Sequence, residues 1–178
     1  CALRYRRAVA LYAARRFREA ESLFADVIAT VETEAQPGVP PLLDIMRFRA
    51  MSQLALDESD GASASFAKVL ALDAADEWAN FYLARRHYEA RRYGEAEAAI
   101  ARTVDEAKSL SVTLLGAAIA LARDDLPMAK RRCQRAMVIA PGDASVAVLV
   151  ALVAERDGLA RAEVLRRLEA AAELAPTW

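Results

Sequence analysis

Ala14-Arg15-Arg16-Phe17-Arg18-Glu19-Ala20-Glu21 returns 76 residues later as Ala90-Arg91-Arg92-Tyr93-Gly94-Glu95-Ala96-Glu97. Six of the eight positions are identical, and a seventh exchanges one aromatic for another. Self-similarity of this kind marks an array of small units. Shorter steps appear once other landmarks are aligned. A small apolar residue followed four places on by a larger one occurs at Ala20/Phe24, Ala62/Phe66, Ala96/Ile100, Ala129/Cys133 and Val164/Leu168. The second members lie 42, 34, 33 and 35 residues apart. A separate ladder of alanines, Ala8, Ala50, Ala84, Ala117 and Ala151, steps by 42, 34, 33 and 34. Two independent ladders keep one period.

Each unit reads as two helices. Residues four apart share a helical face, so Ala20 and Phe24 stack on the buried stripe of a second helix. The alanine admits a close neighbour and the larger ring fills the space beyond. Turn signals stand at Asp60-Gly61, Tyr93-Gly94, Leu126-Pro127, Pro141-Gly142 and Asp157-Gly158. Pro127 suits the first turn of a helix, where a missing N–H costs nothing. Pro141 and Pro176 each close a second helix, 35 residues apart. The predicted pairs are 2–14/17–34, 41–56/60–73, 76–90/93–107, 110–122/126–139 and 143–156/160–175, in one repeat domain over residues 1–178. The long first step is assigned to an inserted loop, Gln36-Pro37-Gly38-Val39-Pro40-Pro41.

In its period, its small first-helix residue, the aromatics Phe17 and Tyr93 opening second helices, its Ala-to-aromatic step and its closing Pro, the chain resembles the tetratricopeptide repeat family. The resemblance covers essentially the whole length. Unit four, ending Ala136-Met137-Val138-Ile139-Ala140-Pro141-Gly142-Asp143, lies nearest the family pattern. Two departures stand out: no Trp sits mid-way in the first helices, and Ile100 and Cys133 replace the second-helix aromatic. The resemblance implies an all-α fold, an α-solenoid of about five antiparallel helix pairs in a right-handed superhelix. It also implies that the first helices line a concave groove for a peptide or helix.

Composition agrees with helices. The 178 residues carry 24 Lys and Arg against 25 Asp and Glu, a net charge of −1, and 56% are hydrophobic. Alanine inflates that share, with 42 copies against twelve aromatics. A disordered tail is excluded, and six Gly with six Pro are too few for a turn-dense β-sandwich. The balanced charge gives no electrostatic reason to expect nucleic acid, and no apolar run reaches the ~20 residues a membrane span needs. Cys1 and Cys133 form no CxxC pair and no bridge framework. Because the chain opens on Cys1, a piece of a longer, cytoplasmic protein is expected, with a processed periplasmic lipoprotein as the alternative.

No catalytic constellation is present. His87 has no nucleophile motif beside it, and neither a phosphate loop, an HExxH nor a Cys/His cluster occurs. No enzyme, metal or cofactor is expected. The resemblance instead assigns groove-facing positions: Tyr5, Arg6, Val9 and Tyr12 in the first unit, Arg47, Phe48, Met51 and Leu54 in the second, and Trp78, Phe81, Tyr82, Arg85 and Tyr88 in the third. Aromatics interleaved with arginines are the residue types of binding hot spots. The competing reading is that many of these rings are ordinary interhelical packing.

Two further features bear on partners. Arg4, Arg6, Arg7, Arg15, Arg16 and Arg18 precede the first acidic residue, Glu19, and offer contacts to an acidic segment. Farther on, the stretches 111–122 and 145–154 carry no charge at all. A helix apolar all round is expected to be buried all round, which places Leu115 and Leu121 among the candidate contact residues. The expected cover is a bound segment, a second copy or another part of the parent chain. The reading is a protein–protein interaction scaffold whose partner presents an apolar and acidic peptide or helix. The alternatives are an assembly chaperone for secretion or pilus components, and a docking or regulatory module of a larger enzyme.

Overall fold

A computed structural model describes residues 1–33, 41–103 and 109–174. The described elements are all helical and fall into two compact units, Cys1–Tyr82 and Leu83–Trp178. The first unit holds α1 (Ala2–Ala13), α2 (Phe17–Thr33), α3 (Leu42–Ala55), α4 (Ser59–Leu72) and the opening of α5 (Glu77–Glu89). The second holds the rest of α5, α6 (Tyr93–Ile100), α7 (Leu110–Ala122), α8 (Leu126–Ile139), α9 (Ala144–Arg156) and α10 (Arg161–Leu174). Most of the inserted loop, the predicted end of the third pair at 104–107, and Pro176 lie outside the described residues.

Both ladders are interior. Ala8, Ala50, Ala84, Ala117 and Ala151 are wholly buried, as are Ala20, Ala62, Ala96 and Ala129 one helix on. In the first unit the larger partners Phe24 and Phe66 join Leu11, Val27, Ile45, Met46 and Val69 in one core. Burying a side chain such as Phe24 contributes about 1.5–3 kcal/mol. In the second unit Cys133 stands beside Ala117, Ala120, Ala129, Leu149 and Val153. Small residues on one helix against larger ones on the next allow close axial approach without voids.

The helix-to-helix turn is the same device five times. Arg15, Asp57, Arg91, Asp124 and Gly158 adopt left-handed backbone, with φ of 59°, 61°, 57°, 61° and 94°. In each case the left-handed residue's N–H reaches back three residues, and the next N–H reaches back five. Arg15 N to Tyr12 O and Arg16 N to Leu11 O are the first pair, both at 2.9 Å. This double bond closes a helix C-terminus with satisfied carbonyls. Only the fifth turn uses glycine. The glycines and proline read as turn signals at 61, 94 and 127 instead sit in the first turns of α4, α6 and α8, just past the reversal. Gly61 has its own reason: a Cβ there would stand 3.1 Å from the Gln53 amide nitrogen, so α3 and α4 touch.

The recurring glutamate ties neighbouring pairs together. Glu21 accepts from Arg49 Nε at 2.8 Å and from Gln53 Nε2 at 3.2 Å, and Gln53 Oε1 accepts from Ser65. At the position 76 residues later, Glu97 is gripped by both terminal nitrogens of Arg132, at 2.7 and 2.8 Å. The Arg132 side chain is buried on α8 and also donates to Gly116 O at 2.9 Å. The same carboxylate is thus met from α3 in one unit and from α8 in the other.

Candidate functional site

The structure separates the predicted contact residues into several groups. Tyr5, Val9, Tyr12, Phe48 and Met51 are half-buried and pack against the core of the first unit. Phe48 stacks on Phe24 with ring centres 5.7 Å apart and meets Tyr12 edge-on at 5.6 Å. Tyr5 leans on Phe24 at 6.2 Å. Burial and then the charge of Asp44 raise the Tyr5 phenol above its ordinary pKa. These rings contribute packing first and only an edge to the surface.

Tyr82 is a correction. It is 4% exposed, its ring stacks on Phe66 at 4.6 Å, and its hydroxyl lies 3.2 Å from Ser59 O and 3.1 Å from Ser63 Oγ. One helical position turns a side chain by about 100°, enough to swing this ring from surface to core. Arg47 is the second correction. Its guanidinium is bound on one side by Asp76, the buried N-cap of α5, and on the other by Asp44 at 2.8 Å. Burial pulls its pKa down, but the Asp76 hydrogen bond and charge, followed by Asp44, outweigh that and raise it. An arginine held by two carboxylates has no charge left to steer an acidic partner.

Trp78 stays at the surface. It is 56% exposed and, with Asp44, Arg47, Phe48 and Met51, lines a pocket of about 280 Å³. Asp44 and Asp76 against Arg47 leave that neighbourhood with excess negative charge. Phe81 and Tyr88 are half-buried, Tyr88 lying 5.7 Å from the Tyr93 ring. Arg6 is exposed on α1, and Arg85 is exposed on α5 with Glu89 at 3.5 Å.

A wide apolar opening lies in the second unit. Leu114, Leu115 and Ala118 of α7 face Ala144, Ser145, Val148, Leu149 and Leu152 of α9 across a trough of about 510 Å³. Val148 is 38% and Leu152 39% exposed. The trough is built from uncharged side chains because both helices lack charge over this stretch. Leu115 is therefore placed where the uncharged run predicted. Leu121 does not line the trough and, like Leu114 and Ala118, is half-buried against the core formed by α7, α8 and α9. Leu114, Ala118, Val148 and Leu152 escaped the residue-level reading, although the spacing 145, 148, 149, 152 is that of a single helical face.

Chemistry is sparse elsewhere. Cys133 is buried and its thiol is pushed up to about 11 by that burial. His87 Nδ1 is buried without a hydrogen-bond partner among the described residues. No group of three or more His, Cys, Asp or Glu among them is arranged to hold a metal. No described helix is long and apolar enough to cross a membrane.

Helix pairs, αL turns and open faces on first helices define an all-α helical-hairpin solenoid with a tetratricopeptide-like fold. Similar solved structures agree. MamA residues 41-end from Desulfovibrio magneticus RS-1 superposes with a TM-score of 0.76 at 14% identity, over 97% of this chain and 94% of that one. MamA of MSR-1 gives 0.69 at 16% identity, over 97% and 95%. A thermophilic TPR protein in Thermus thermophilus gives 0.63 at 16% identity, over 98% and 91%. At these identities the likeness is one of fold. No protein-family model matches the sequence, and no curated protein matches it.

Proposed function

We propose that this chain is a protein–protein interaction scaffold whose main docking surface is the apolar trough of α7 and α9. The observation that carries the reading is Val148 and Leu152, each about two-fifths exposed, beside Leu114 and Leu115 in an uncharged depression. Removing the remaining exposed surface of such side chains from water contributes about 1 kcal/mol each. The Trp78 pocket serves as a separate contact on the first unit, since a central Trp is worth about 2 kcal/mol or more. Phe48 and Met51 line that pocket, with Tyr12 packed edge-on against Phe48, and Tyr5, Val9, Phe81 and Tyr88 are further candidate contacts. Arg6 and Arg85 keep the role of meeting acidic groups, which Arg47 loses. Rigid helices hold the contact side chains in fixed positions, so little is spent ordering the receptor.

The test uses a photo-reactive residue at position 148 of the full chain in its source cells, with position 165 on α10 as an exposed control. The expected result is an adduct with a defined partner from 148, lost when Leu152→Glu is added. Equal adducts from both positions, or none from 148, contradict the assignment.

A further inference from the structure

Resting on that reading, we infer that the occupant of the α7/α9 trough is an amphipathic α-helix of a partner protein, presenting an uncharged stripe of small and medium apolar side chains, and not an extended peptide. Hydrogen-bond accounting separates the two. All eight lining residues lie within α7 and α9, where N–H groups beyond the first turn are bonded along the helix, and Ser145 supplies the one polar side chain among them. At the start of α9, the N–H groups of Ser145 and Val146 are taken by Asp143. An extended segment brings an N–H and a C=O with every residue and needs partners for those it turns toward the wall. This wall offers a single hydroxyl. A helix arrives with its backbone bonds already made.

Spacing points the same way. Ser145, Val148, Leu149 and Leu152 follow i, i+3, i+4, i+7, and Leu114 and Ala118 follow i, i+4. Such rows are the ridges that a third helix interleaves with, knob against hole. The seven steps from 145 to 152 span about 10 Å of axis, so two to three turns of the partner are engaged. Charge sets the chemistry of the stripe. No charged side chain lines the trough, and the nearby ion pair of Arg156 with Asp124 is closed on itself at 2.9 Å. A charged group on the partner's buried face finds no counter-charge there. The Trp78 pocket differs on every point, because Asp44 and Arg47 supply both polar groups and charge.

The experiment titrates two synthetic probes into the full chain. One is an all-L amphipathic peptide of about 20 residues, long enough to form a helix on binding, with Leu and Ala at heptad positions and Glu and Lys elsewhere. The other is its diastereomer with D-residues at two central positions, identical in composition but unable to hold a helix. Methyl NMR follows Leu114, Leu115, Val148 and Leu152, and circular dichroism follows helix gain. The all-L probe is expected to shift these methyl signals, gain helical signal and bind about tenfold more tightly than the diastereomer. Val148→Glu/Leu152→Glu is expected to abolish the difference. Equal or tighter binding of the diastereomer at the same methyls overturns the helix and leaves the docking surface standing. Methyls unmoved by either probe overturn both. A wild-type dimer that excludes the probes and dissociates in the double variant overturns the foreign helix in favour of a second copy.

Discussion

Arg132 shows what one side chain does in this fold. It is buried on α8, forks onto both oxygens of Glu97 and caps the carbonyl of Gly116. Removing the carboxylate of a buried pair leaves the arginine's charge poorly compensated, at about 3 kcal/mol. Glu97→Ala is therefore expected to cost about that much in urea unfolding, and adding Arg132→Met to recover much of it. A second residue-scale prediction concerns acid. Burial, with the Arg92 charge and against Glu95, lowers the pKa of His87 in the folded chain. A lowered folded value means that stability is full above the unfolded histidine value of about 6.5 and is lost as pH falls below it. The thermal midpoint is expected to drop between about pH 7.5 and about pH 5.5, less so in His87→Gln. Cys133, with its thiol at about 11, is expected to resist a thiol reagent at about pH 8 until the chain unfolds.

At the scale of the element, the repeated turn decides more than the helices do. Four of the five left-handed positions are Arg or Asp, each carrying the roughly 1–2 kcal/mol penalty of that backbone for a residue with a Cβ. Gly158→Ala imposes the same penalty and is expected to lower stability by about 1 kcal/mol. Arg91→Gly removes it, and after the entropy glycine adds to the unfolded chain is expected to gain about 0.5 kcal/mol. Denaturant midpoints of the two variants check both signs. The turns also show where sequence reading worked. The alanine ladders and the Ala14–Glu21 repeat placed helix boundaries to within one or two residues, since periodic burial leaves a periodic trace, except at α6, which stops at Ile100 where the predicted helix ran on to 107. The reversal points did not announce themselves. Arg15 and Arg91 look like ordinary charged residues, and the glycines at 61 and 94 mark the turn after the bend.

For the whole molecule, the fold was legible and the contact surface only in outline. Uncharged composition at 111–122 and 145–154 pointed to the helices that line the trough, because it is a property of a stretch and does not depend on which way a residue faces. Individual orientation does depend on that, and there Tyr82 went inward and Leu121 fell outside the trough while Val148 and Leu152 faced out. Arg47 could not be read from sequence at all, for its partner Asp76 is 29 positions away. The account's central claim is that the α7/α9 trough is kept apolar for a partner and not for stability. The most direct measurement pairs two readouts on Val148→Glu/Leu152→Glu: affinity for the protein crosslinked at position 148, and unfolding free energy. The account predicts an affinity loss of at least about tenfold with stability changed by no more than about 0.5 kcal/mol. Unchanged affinity, or a loss of stability of several kcal/mol, the size expected of core residues, would contradict it.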